Sequence, residues 1–172
     1  PPVKVYVAYL GTGGAWPKPE FDAPAEVKMF QKYLAGVEER LGDVKFIGGQ
    51  LITNTPAEAA KLAKSVEGAD AVLLMHLSFG TAAPFMEFVK TGLPVAIFSQ
   101  PFSGHDWMYV PQWQKEGKRV IISPSSDFGE IDRMVALLRV PARMKQSKIL
   151  PVGPANGTQA AQSAEEVAKR TG

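Results

Sequence analysis

Cysteine is absent, which excludes disulfides, thiolate nucleophiles and thiolate-bound metals. No apolar run approaches the roughly 20 residues of a membrane span, so no membrane partner is expected. Charge of one sign is also lacking. Nineteen Lys and Arg stand against 17 Asp and Glu for a formal charge of +2, and the basic residues are scattered. Nucleic-acid binding needs them gathered on one face, so nucleic acid is not expected either. With two histidines and no HxH or HExxH spacing, the three converging ligands of a divalent metal site are not signalled, and no cofactor is expected in this chain. The GxSxG elbow of serine hydrolases is missing. The Gly-rich run GTGG at 11–14 lacks the GxGxxG spacing of dinucleotide sites, and one Thr there is too few for the hydroxyl-rich turn of a flavin phosphate site.

What is present centres on residues 69–100: ADAVLLMHL, then SFGTAAPFMEFVKTG, then LPVAIFSQ. Two short branched-apolar runs flank a segment whose Phe85, Met86, Phe88 and Val89 cluster at helical spacing. This is the strand–helix–strand pattern of a parallel sheet covered on both faces. Residues 3–10, 44–47 and 119–123 supply three further strands, the second ending on Gly48-Gly49. A helix is predicted from Pro24 to Leu41, capped by Asp22 and stopped by Gly42. Another starts at Thr55-Pro56 with Glu58 closing a capping box and ends at Gly68. Residues 101–109 read as irregular, and 110–116 as a short helix. A last helix is predicted over 130–138, with Asp127 and Glu130 as its capping box and Pro141 blocking or kinking its extension. The expected fold is therefore a three-layer, doubly wound α/β domain over residues 1–152, with about five parallel strands. The flavodoxin-like order 2-1-3-4-5 is preferred over the Rossmann-like order 3-2-1-4-5 because no fingerprint follows the first strand.

Composition turns small and polar after Val152, where residues 149–152 read as an edge or exit strand. Residues 153–172 read as an exit linker and the start of a further helix. The chain opens on Pro1-Pro2 with neither an initiator methionine nor a signal-peptide pattern. That suggests either a removed N-terminal segment or a piece of a longer protein.

Ligands of doubly wound sheets bind outside the carboxyl ends of the strands. His76 ends the third strand, and Gly80 and Thr81 beyond it would offer backbone N–H groups to an anion or a hydroxyl. Gln100 ends the fourth strand, and the GHDW loop brings His105, Asp106 and Trp107. Trp16, Phe79, Phe102 and Trp107 offer flat apolar faces, and Gln100, His105, Asp106, Ser123 and Asp127 offer donors and acceptors, a combination suited to polyols; Trp113 is assigned to packing. The predicted cleft lies at the ends of strands one, three and four, under the loops 11–21 and 101–111.

The run ADAVLLMHLSFGTAAPFMEFVKTGLPVAIFSQP with its GHDW loop resembles the N-terminal part of the L-fucose/L-arabinose isomerase-like family, as does the closing stretch KILPVGPANGTQAAQSAEEVAKRTG. The resemblance implies a cytoplasmic aldose–ketose isomerase-like protein working with Mn²⁺. Its ligands would come from later domains, for which this chain has no matching segment. It implies a domain that covers sugar for a homo-oligomeric neighbour or a partner domain carrying the metal, and is not catalytic alone. By position it points to His76, Phe79, Gln100, His105, Asp106 and Trp107. A structural or oligomerisation domain without its own ligand is the alternative.

Overall fold

In a computed structural model, which describes residues 1–12, 20–52, 55–148 and 163–171, the apolar runs form one sheet. Its strands are β1 (Val3–Leu10), β2 (Val44–Ile52), β3 (Ala71–His76), β4 (Val95–Ser99) and β5 (Val120–Pro124). They pair in parallel throughout, in the order β2-β1-β3-β4-β5, so the flavodoxin-like arrangement holds. The helices are α1 (Ala23–Leu41), α2 (Pro56–Ala63), α3 (Ala82–Val89), α4 (Val110–Lys115), α5 (Gly129–Gln146) and α6 (Ala164–Thr171).

Period-two alternation along the strands decides the layers. Val5, Val7, Tyr9, Leu73, Met75 and Phe98 face one side and bury Phe30, Leu34 and Val37 of α1 with Ile131, Val135 and Leu138 of α5. Tyr6, Ala8, Leu10, Leu74 and Ile97 face the other, where Phe85 and Phe88 of α3, Ala59 of α2 and Trp113 of α4 pack. Trp113 thus serves packing, as expected. Every residue of β3 and β4 is buried, as two-sided cover requires.

Three local readings need correction. β2 does not stop at Gly48-Gly49. It continues to Ile52 through a register shift between Val7 and Ala8, with both glycines at positive φ. Only glycine fits at Gly48, where a Cβ would lie 2.8 Å from the Val7 carbonyl oxygen and from the Tyr6 ring. α5 runs through Pro141 to Gln146. The missing N–H would have bonded the carbonyl of residue 137, and Leu137 is exposed, so water can take that partner. Arg139 and Arg143, on either side of the proline, both donate to the Asp43 carboxylate at 2.7 Å and clamp the helix across the break. The capping boxes also differ. The Thr55 hydroxyl donates to Glu58 rather than accepting from the backbone. At α5 it is Asp127 Oδ1 that accepts the Gly129 N–H at 2.8 Å, while Glu130 pairs with Arg133. The short strand expected at 149–152 and the linker to 162 lie outside the described residues.

Candidate functional site

β3 and β4 end side by side, His76 opposite Ser99 in the ladder, and their polar ends meet the loop that leaves β4. His76 is fully buried, with its ring edge-on to Phe85 at 5.1 Å between centroids. Its Nδ1 lies 2.8 Å from Ser99 Oγ and 3.3 Å from Ser103 Oγ, and the two hydroxyls are 2.9 Å apart. Its Nε2 faces Asp106 Oδ2 at 3.3 Å, a contact short of aligned hydrogen-bond geometry. A carboxylate only accepts, so the imidazole proton belongs on Nε2, and Nδ1 accepts from a serine.

Asp106 is the hub of this row. Its Oδ2 also accepts from the Thr81 N–H at 2.7 Å and from the Thr81 hydroxyl at 3.2 Å. Burial pushes the Asp106 carboxyl up. The His76 imidazole and the Thr81 amide and hydroxyl outweigh that and hold it below the usual carboxylate range. The positive end of α3, read from the sequence as open to an anion or a sugar hydroxyl, is therefore filled by the protein's own carboxylate.

The order acid–histidine–serine is that of a hydrolase triad. Here, though, Ser99 is 3 % exposed and its hydroxyl is shared between His76 and Ser103. The row presents no exposed nucleophile, and it ties the loop to the ends of two strands. Of the residues singled out in the sequence, His76 and Asp106 are thus brought together, but turned inward. Gln100 is buried too and donates Nε2 to the Leu77 carbonyl at 3.1 Å. Phe79 and His105 meet at 5.5 Å between ring centroids, and both are exposed. Trp107 is 41 % exposed. Trp16 lies outside the described residues.

A cleft of about 280 Å³ opens beside this row, lined by Gln100, Phe102, Gly104, Trp107, Ser125 and Ser126. It sits at the carboxyl ends of β4 and β5, one strand over from the predicted place. Among the described residues the ends of β1 and β3 are tied to each other. The Ser78 hydroxyl accepts from the Thr12 N–H at 2.6 Å and donates to the Thr12 carbonyl at 3.1 Å, stitching those two loops together. An apolar groove of about 320 Å³ between β5 and α5, lined by Pro94, Val120, Leu137 and Pro141 among others, lies at the amino ends of β4 and β5. Sequence reasoning singled out neither Ser103 nor the Ser125-Ser126 wall. The only available signal was that both sit in turns directly after strands.

Among the described residues no three His, Asp or Glu side chains gather to hold a metal. No described helix is long and apolar enough to cross a membrane. No protein-family model matches the chain, and no curated protein is significantly similar to it.

Proposed function

We propose that the chain is a sugar-binding, substrate-covering N-terminal domain of a cytoplasmic L-fucose/L-arabinose isomerase-like protein. The cleft beside β4 and β5 takes one neutral sugar, and the metal-bearing catalytic residues come from a partner domain or a neighbouring copy. The observation that carries this reading is the cleft's make-up. Trp107 and Phe102 supply flat apolar faces, and Gln100, Ser125 and Ser126 supply hydrogen-bonding groups around a space suited to one small ring. Each hydrogen bond to a neutral sugar nets only about 0.5–1.5 kcal/mol, so the domain alone binds weakly and tightens when a partner closes over it.

Trp107→Ala weakens sugar binding about tenfold and leaves the sheet folded. Amide shifts on titration with pentoses and 6-deoxyhexoses, run beside sedimentation, check this. Shifts mapping to the amino edge of the sheet count against the cleft. The same chain with added Mn²⁺ shows no aldose–ketose turnover, because the reaction needs a metal or a placed base and the described histidine–carboxylate pair is buried. Saturable turnover in a coupled sugar assay, abolished in Asp106→Asn, overturns that expectation.

A second reading has its own support. Phe102, Trp107, Met108 and Tyr109 are each more than 40 % exposed within one loop, the make-up of a protein contact. If Trp107→Ala dissociates an oligomer instead of weakening sugar binding, the oligomerisation reading replaces the first.

A further inference from the structure

Pro101 and Phe102 hold the two central positions of a tight turn closed by the Ser103 N–H, which donates to the Gln100 carbonyl at 3.2 Å. Proline at the first position fixes φ near about −65°, and Phe102 follows at φ 65°. Those values define a type II turn, whose second central residue is ordinarily glycine because a Cβ crowds there. Among the described residues, eight glycines and Phe102 alone of all other residues take positive φ. For a bulky side chain this is an outlier, and such strain persists where the surroundings over-determine it, most often at functional sites.

Burial does not offset the strain, since Phe102 at 67 % is the most exposed large apolar side chain among the described residues. The turn is fixed from behind instead. Ser103 is 1 % exposed, and its hydroxyl reaches both Ser99 and His76. The buried row therefore holds the backbone in a shape that glycine would adopt freely, while the position carries a ring at the wall of the cleft.

We infer that Phe102 is a ligand-binding residue, the aromatic platform for a ring ligand with one face rich in C–H groups. This rests on the reading of the cleft as a sugar site and deepens it by making Phe102, held in place by its turn, the main platform for the sugar's apolar face. Trp107, which lines the same cleft, supplies the second aromatic surface, leaving the ligand's edge hydroxyls to Gln100, Ser125 and Ser126. The cleft's volume of about 280 Å³ is enough for one such ring.

Phe102→Gly and Phe102→Ala test the inference together, by thermal unfolding and by ligand-observed NMR titration with neutral pentoses, hexoses and 6-deoxyhexoses. Phe102→Gly melts at the wild-type temperature or up to about 4 °C above it, because the crowded Cβ is gone. Its sugar binding falls about tenfold or more. Phe102→Ala keeps the Cβ, loses binding to the same extent and gains no thermal stability. Wild-type binding by Phe102→Gly overturns the inference and leaves the cleft reading standing. A melting temperature more than about 4 °C lower in Phe102→Gly also overturns it, since the ring would then be packing. If the wild-type chain binds none of the sugars, the cleft reading falls and this inference falls with it.

Discussion

Replacing Asp106 with alanine lowers the melting temperature by about 6–20 °C, corresponding to about 3–5 kcal/mol for a chain of this length. The carboxylate is 7 % exposed and serves three groups at once: the Thr81 amide, the Thr81 hydroxyl and the His76 ring. Deleting it leaves the N–H of Thr81, the residue that caps α3, and a buried imidazole N–H facing no acceptor, and unmade buried bonds cost more than made ones return. Asp106→Asn keeps an acceptor for the Thr81 amide but loses the charge, so it falls by roughly half as much. Thermal unfolding of the three proteins at neutral pH checks the order. A loss below about 1 kcal/mol in Asp106→Ala would show that the loop holds without its hub.

The same carboxylate gives a pH dependence of known sign. Its folded pKa is held below the unfolded value of about 3.9. Its contribution is therefore complete above that value and is lost as pH falls through the folded one. Asp43, between Arg139 and Arg143, and Glu38, which accepts from Lys45 and the Phe46 amide, are lowered in the same direction and share the acid loss. The acid limb in Asp106→Asn is accordingly shallower than in wild type, without being flat.

Much of the fold was legible because buried parallel strands leave a signature that composition alone reveals. AVLLM at 71–75 and VAIF at 95–98 are apolar throughout, and the structure buries every residue of β3 and β4. Legibility failed where one residue type serves two purposes. Gly48-Gly49 reads as the end of a strand, yet here it supplies a bulge inside β2, a distinction that depends on what β1 presents at Val7 and Tyr6. Pro141 reads as a helix stop, yet Asp43, almost 100 residues earlier in the chain, bridges the break.

The site shows the same division. Polar residues at the carboxyl ends of apolar strands are visible in one dimension, so His76, Gln100 and Asp106 could be found. Whether they face a ligand or one another is a matter of three-dimensional pairing. Asp106 reaches back 25 positions to accept from the Thr81 amide and hydroxyl and lies against the His76 ring, so groups expected to meet a ligand meet one another. Ser103 carries no motif, and it matters because it stands where His76 and Ser99 already converge. The buried row and the exposed rim are thus one device: the inward residues of the loop fix the backbone, and the outward ones line the cleft.

Gly104 is where that device is most easily broken. Its φ is 103°, and an added Cβ would lie 2.8 Å from the Phe79 ring and 3.3 Å from the Phe79 Cα. The ring can swing aside, but the backbone atom cannot, so a branched side chain must push the loop off the end of β3. Gly104→Val therefore loses about 3 kcal/mol, about 6–12 °C in melting temperature, from positive-φ strain and this close approach together. Because Gly104 lines the cleft between Phe102 and Trp107, sugar binding falls at least tenfold in the same protein. Gly117→Val is the control that separates the causes. It too has positive φ, 76°, but has nothing within 4 Å of its Cβ position and no place in the cleft. It loses only the strain, about 1–2 kcal/mol, and binds as wild type does. Differential scanning calorimetry paired with the sugar titration reads both variants. Equal melting temperatures for the two would mean that the Phe79 contact carries no weight. Intact binding in Gly104→Val would move the ligand away from this loop altogether.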